Sequence, residues 1–440
     1  MLNLYDTATQ SVKTLALREP GKVGIYLCGP TVYGPPHLGH GRATLVYDIL
    51  RRYLTWSGLE VRLVSNITDI DDKIIDRANR ENRAWEDITH KCENVWFEAM
   101  GKLGVLRPDE VPHATDYVDQ MVSMISTLIE RDAAYVTGDG VYLNVKSVPD
   151  YGLLAHQSLD DMLSGGGDRE VLGASNKKNP ADFALWKFSK PGEPAWSAPW
   201  GDGRPGWHSE CVVMSLELLG EGFDLHCGGA DLRFPHHENE RAQSNALINE
   251  EAVGLWVHGE HLLFEGKKMS KSSGNVVLLS DVIKRGIDPL AIRLCFLENK
   301  YRSQMDLTWK AIEAADETLK RWRMKMVQWG SDNSISSDSE IELAFNTDLD
   351  TSRAIMLMRE IEKSESDNKA SIFRYADQVL GLDLDRPIEK KVLTSQMQEL
   401  LEKRSAARTQ KRWSDSDQLR IELEKLGLEI QDTPDGQVWS

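Results

Sequence analysis

Residues 23–41 read VGIYLCGPTVYGPPHLGHG. Residues 23–27 are mostly β-branched, aromatic or aliphatic and uncharged, the composition of a buried strand. The run breaks at Cys28-Gly29-Pro30 into a turn-rich loop. A helix is expected over roughly residues 40–56, where Leu45, Val46, Ile49, Leu50, Tyr53 and Leu54 recur near a 3.6 period and Gly58 supplies a stop. Residues 59–64 (LEVRLV) read as the next strand. Strand, helix, strand at this spacing is a βαβ unit, which implies a parallel sheet and an α/β fold.

Working outward, strand signals resume near residues 222–225, followed by a helix carrying His236, His237, Glu238, Asn239 and Glu240 and by a strand-like run at 255–264 (LWVHGEHLLF). The order predicts one α/β domain interrupted by an insertion. The SGGGD run at 164–168 reads as a surface loop rather than a phosphate loop. From about 286 the pattern turns helical, with a polar linker at 331–339 and a short helical segment to about 380. Residues 391–427 predict two helices, and the end predicts a hairpin around Pro434-Asp435-Gly436.

The chain has 440 residues, 41% hydrophobic and 28% charged, with a formal net charge of −17. These values describe a multidomain soluble protein with no membrane partner. No stretch approaches the roughly 18 apolar residues of a spanning helix, and the N-terminus lacks a signal pattern, so a cytoplasmic location is expected. Five cysteines argue against a disulfide framework. Cys92 and Cys295 read as small buried apolar residues. Taken alone, the negative charge argues against a nucleic-acid partner.

Three constellations carry chemistry. His37 and His40 sit at a predicted helix N-terminus, where free N–H groups suit phosphate; Gly39 and Gly41 admit a flat ligand. The plain alternative is that the histidines only cap the helix. Lys268 and Lys271, interleaved with Ser270, Ser272 and Ser273, form a cationic clamp for a triphosphate or an ordinary solvated loop. Cys28, Cys211 and the i, i+4 pair His236 and Glu240 offer a zinc-type donor set at strand ends of one sheet, against separate packing and capping roles. His237 has Arg241 at its own i+4 position, which makes His236 the better metal candidate.

The HIGH-like string at 37–40, with Leu38 in place of Ile, and KMSKS at 268–272 together resemble the signature pair of class I aminoacyl-tRNA synthetases. The stretches at 26–42, 65–79, 179–211, 223–244 and 267–275 resemble the cysteinyl-tRNA synthetase family over nearly the whole chain. One departure is Cys227, where the family usually has glycine; it reads as a tolerated small residue rather than a metal ligand.

The resemblance implies a Rossmann-like class I synthetase catalytic domain with an insertion, followed by helical domains and a small C-terminal α+β anticodon-binding domain. Its implied boundaries are 1–115 and 201–285 for the catalytic halves, 116–200 for the insertion, 286–330 for a stem-contact region, 331–385 for a linker and short helical domain, and 386–440 for the anticodon-binding end. It implies a monomer acting on L-cysteine, ATP with Mg2+, and tRNA-Cys. Zinc would be held by Cys28, Cys211, His236 and Glu240. Thr68, Trp207, His226 and Asp231 would bind cysteine, and His37, His40, Lys268 and Lys271 would bind ATP and catalyse. Cations at 320–325 and 401–420 could grip RNA phosphates, and Trp439 could stack on a base. A related ligase that joins cysteine to a glucosaminyl-inositol in mycothiol synthesis shares the signatures and is the alternative.

Overall fold

The computed structural model describes residues 2–159, 161, 176–269, 275–330, 334–387, 393–428, 430–433 and 436–439. The SGGGD run, the linker start at 331–333, Lys271 with its neighbouring serines, and the Pro434-Asp435 turn lie outside the described residues. The chain forms two compact units, Met1–Leu319 with Asp332–Leu382, and Lys320–Ser331 with Asp383–Ser440.

The first unit is built on a four-stranded sheet in the order Val253–Gly259, Phe223–Gly229, Lys22–Leu27, Glu60–Ser65, all parallel. Ile25 lies opposite both Leu63 and Leu225. Val23, Ile25 and Tyr26 are buried, as a strand covered on both faces requires. The two central strands lead outward to opposite edges, so the strand order reverses between them. Such a switch point opens a crevice at the carboxyl ends.

The helix expected near residue 40 spans Leu38–Trp56, because His37 caps it. Tyr47 on that helix reaches the sheet. Its hydroxyl donates to the Gly228 and Val257 carbonyls and accepts from the Gly228 and Gly259 amides at 3.1 Å. The strand-like run at 255–264 is not one strand. Val253–Gly259 ends in the parallel sheet, and Leu262–Phe264 joins Lys267–Lys268 and Met305–Leu307 in a separate three-stranded sheet. The parallel ladder ends with Ala230 N donating to the Gly259 carbonyl; beyond it Glu260 N donates to the Tyr301 carbonyl and the His261 carbonyl accepts from Arg42. Between Glu60–Ser65 and Phe223–Gly229 in chain order lies a four-stranded antiparallel sheet, Ala134–Val136, Gly140–Leu143, Phe183–Phe188 and Gly203–Pro205.

Cys92 and Cys295 are buried, as expected, Cys92 in a cluster with Val32, Ile67, Ala78 and Ile88. Among the described residues no helix is long and apolar enough to cross a membrane.

In the second unit, helices Ser395–Thr409 and Trp413–Lys425 pack with the hairpin Ile430–Thr433 and Gly436–Trp439 around Met397, Leu401, Leu423, Leu428 and Ile430. Trp439 packs against this cluster, so its ring serves the core. Arg404 is buried and paired bidentately with Asp432. Trp322, inside the other basic run, is fully buried.

Candidate active site and metal centre

The carboxyl ends of the central strands open into a cleft of about 790 Å³. Its walls include Cys28, His37, His40, Trp207, Asp231 and Lys268. The two signature strings meet here. Leu38 N donates to the Val277 carbonyl at 3.0 Å, and a Cβ on Gly39 would stand 3.2 Å from the Met269 methyl. The same Cβ would stand 3.0 Å from the His37 ring, so glycine at 39 relieves crowding where Met269 approaches the first string. Asn275 Nδ2 donates to the Lys268 carbonyl at 3.0 Å and ties the two ends of the clamp loop. Lys271 lies outside the described residues.

His37 and His40 do cap the helix. The Nδ1 of each accepts the other's backbone N–H, at 3.3 and 3.2 Å, and the rings stack 3.7 Å apart. Capping and function coincide, because an accepting Nδ1 places the ring hydrogen on Nε2. Each ring is thereby fixed as an Nε2–H donor in the wall of the cleft.

At the floor four donor atoms converge. Cys28 Sγ lies 3.5 Å from Cys211 Sγ and 3.5 Å from Glu240 Oε1. His236 Nε2 lies 3.7 Å from Cys211 Sγ and 2.7 Å from Glu240 Oε1. Tetrahedral zinc with thiolate and imidazole ligands spaces its donors about 3.3–3.8 Å apart, so all but the last, shorter contact already match. Two sulfurs, a nitrogen and a carboxylate buried together fit a borderline-soft divalent ion.

The elements that supply them differ from expectation in one case. Cys28 follows a strand and Glu240 lies on helix Glu238–Ile248, as expected, but Cys211 belongs to helix Trp207–Leu219 and not to a strand end. The segment Arg233–His237 is kinked at Phe234, so the helix proper begins just before Glu238. The His236–Glu240 contact survives because His236 already enters the helical turn.

Burial pushes the Cys28 thiol well up. Burial also acts to raise Cys211, but hydrogen bonding to Cys28 and His236 brings it down. Glu240 is held well below the carboxylate range: burial works against this, and His236 and His226 outweigh it. His236 is pushed up to about 10, with burial opposing and Glu240 raising. The lowered values at Cys211 and Glu240 favour the deprotonated forms that can ligate a cation.

Of the residues expected to bind cysteine, Trp207 and Asp231 line the cleft, and Thr68 and His226 are buried behind its wall. Trp207 stacks on His236 at 4.0 Å. Thr68 Oγ1 donates to Glu210 Oε2 at 2.6 Å. His226 Nε2 lies 3.4 Å from Cys28 Sγ and 2.9 Å from Glu240 Oε2. Sequence reasoning missed the supporting groups His208, Glu210 and His258, and set His237 aside as the weaker metal candidate. His208 Nδ1 meets His236 Nδ1 at 2.8 Å, and His237 Nδ1 meets His258 Nε2 at 2.8 Å. For His208, Glu210 and His237 the signal was adjacency to named residues, in GWHSEC and PHHENE; His258, in WVHGE, had none. Cys227 is buried and belongs to no donor set among the described residues.

The parallel sheet, the switch-point cleft and the paired strings define a class I aminoacyl-tRNA synthetase fold. The structure of Mycobacterium tuberculosis methionyl-tRNA synthetase in complex with methionyl-adenylate matches with a TM-score of 0.58 at 14% identity, covering 82% of this chain and 88% of that one. Residues 14–317 match the family described as tRNA synthetases class I (C) catalytic domain, and 391–439 match the cysteinyl-tRNA ligase anticodon binding domain. Cysteine–tRNA ligases of Thermodesulfovibrio yellowstonii and Thermus thermophilus are 36% and 39% identical, each over 100% of this chain and 99% of the relative. The chain belongs to the cysteinyl-tRNA ligase family. The mycothiol ligase alternative is not supported, since an anticodon-binding match at the C-terminus has no use in joining two small molecules.

Proposed function

We propose that the chain activates L-cysteine with ATP and passes it to the terminal ribose of tRNA-Cys. The observation that carries this reading is one cleft that holds Cys28 of the soft donor quartet beside the stacked His37 and His40 and the tethered Lys268.

Cys28, Cys211, His236 and Glu240 would hold zinc. Bound there, zinc would favour a substrate thiolate over a serine hydroxyl, which is a far poorer ligand. Trp207 and Asp231, in the cleft wall, would receive the amino acid. Thr68 and His226 would act from behind it, Thr68 through Glu210 and His226 on the donors Cys28 and Glu240.

For adenylation, the substrate carboxylate attacks the α-phosphorus and pyrophosphate leaves. The Nε2–H groups of His37 and His40 are aligned to donate to phosphate oxygens as charge grows there. Lys268 and Lys271 would neutralise the leaving pyrophosphate, and Mg2+ would accompany ATP. No side chain presents itself as a general base, so rate would come from positioning and electrostatics. The domain boundaries given above, a monomeric state and a cytoplasmic location belong to the same reading.

The deciding experiment is cysteine-dependent ATP–pyrophosphate exchange followed by charging of tRNA-Cys. Exchange without charging would overturn the tRNA half. Full activity of a zinc-free Cys28→Ser variant would sink the metal assignment.

A further inference from the structure

We propose that the ion has a second seat, formed by Cys28, His226, His237 and Glu240, which overlaps the first through Cys28 and Glu240. It would take a borderline divalent cation such as Zn2+ or Co2+. The inference rests on the reading that Cys28, Cys211, His236 and Glu240 hold the resident zinc.

One ligand atom from each of these four residues lies within 4.8 Å of all the others. His226 Nε2 already touches both shared residues, 3.4 Å from Cys28 Sγ and 2.9 Å from Glu240 Oε2. His237 supplies the independent observation. Its side chain is fully buried, and its Nε2 has no hydrogen-bond partner. Buried imidazole nitrogens are rarely left so, because the lost hydrogen bond is costly away from water.

The opposite nitrogen explains the state of the ring. His237 Nδ1 lies 2.8 Å from His258 Nε2, and His258 Nδ1 lies 2.7 Å from Thr7 Oγ1. A chain running from His237 Nδ1–H to His258 Nε2, and from His258 Nδ1–H to Thr7 Oγ1, leaves the lone pair on His237 Nε2. Metal-binding histidines are held in this way, with the second nitrogen donating to a partner that fixes tautomer and orientation. The first quartet repeats the device, with His236 backed by His208. Two adjacent histidines, each with its own supporting histidine, thus stand beside one shared thiol and carboxylate.

In this proposal one ion exchanges between the two seats, with Cys28 and Glu240 serving whichever is filled. Moving the ion from the first seat to the second exchanges the Cys211 thiolate and the His236 imidazole for two imidazoles. The donor set goes from two sulfurs to one, a change that a spectroscopic metal reports. It also predicts that the chain keeps its ion when Cys211 is lost.

The test is cobalt titration of the full metal-stripped chain, read by absorption and by bound metal per chain. Wild type should bind one ion with a two-thiolate charge-transfer band. Cys211→Ala should still bind one ion, with the band reduced to about half as one thiolate replaces two. Adding His237→Ala to Cys211→Ala should weaken cobalt binding by about 10-fold or more. His236→Ala offers a second route to the same seat if Cys211→Ala fails to fold by circular dichroism. The proposal is overturned if folded Cys211→Ala and His236→Ala lose cobalt as completely as Cys28→Ala, or if the added His237→Ala changes nothing. Those results would leave the first seat standing. A wild-type band of single-thiolate strength would instead count against the first seat and for the second.

Discussion

Arg293 and Asp48 form an ion pair with no solvent exposure, Nη2 lying 2.6 Å from Oδ2. Asp48 sits on the helix that His37 caps, and Arg293 also donates to the Leu380 and Leu103 carbonyls. Arg52 and the Leu106 amide complete the carboxylate's partners at 2.8 Å. The pair therefore pins the signature helix to the helical segments behind it. Arg293→Met leaves Asp48 buried with one cation fewer and should cost about 3–5 kcal/mol, measured by urea unfolding. The pH dependence follows from the lowered pKa of Asp48, where burial acts upward but Arg293 and Arg52 prevail. A depressed carboxylate pKa contributes stability above the usual carboxylate range, lost as pH falls through the folded value. Wild type should thus lose stability below about pH 4 more steeply than Asp48→Asn.

The reciprocal capping of His37 and His40 separates two losses. His37→Ala removes a cap worth about 1 kcal/mol in stability. If its Nε2–H serves the phosphate as proposed, pyrophosphate exchange should fall by about 10²–10³. His37→Asn restores a capping side chain without the donor at that reach. It should regain the stability and not the rate. Recovery of both would mean that capping is the residue's whole role.

Much of this site could be read before the fold was known. The βαβ unit was legible because residues 23–27 and 59–64 carry uninterrupted strand signals and the helix between them has a clear period. The Cys28, Cys211, His236 and Glu240 set was nameable by residue type, but its convergence was not, since Cys211 and Cys28 lie 183 residues apart and only the tertiary fold brings them together. The split of residues 255–264 was illegible because its cause is non-local: past Gly259, Glu260 N bonds the Tyr301 carbonyl and Arg42 takes the His261 carbonyl. The supporting histidines carry no signal of their own, because a histidine that orients another is defined by distance alone.

Tyr47 makes a prediction about the sheet ends that frame the cleft. Its hydroxyl joins the Gly228 and Gly259 amides and two carbonyls, all buried. Tyr47→Phe keeps the ring and removes hydrogen bonds to two buried N–H groups. The expected cost is about 1–3 kcal/mol by urea unfolding. A loss under 0.5 kcal/mol or so would mean that water or a shift of the helix replaces the hydroxyl.

The C-terminal unit tests how a chain of net charge −17 meets RNA. Most cations of the 401–420 strip are committed within the unit. Arg404 and Arg408 bind Asp432, Lys403 binds Glu399, Arg412 binds Asp415 and Arg420 binds Glu424. Arg404 is buried, so its charge serves the hairpin and not a phosphate. Arg404→Met should destabilise this unit by about 2 kcal/mol or more and leave the salt dependence of tRNA binding unchanged. Lys411 is exposed at the connection between the two helices, where a phosphate can reach it. Lys411→Gln should lower the slope of log affinity against log salt by about 0.7–0.9, the share of one phosphate contact. If Arg404→Met changes that slope in a unit that remains folded, the buried pair opens on RNA binding and the structural assignment fails.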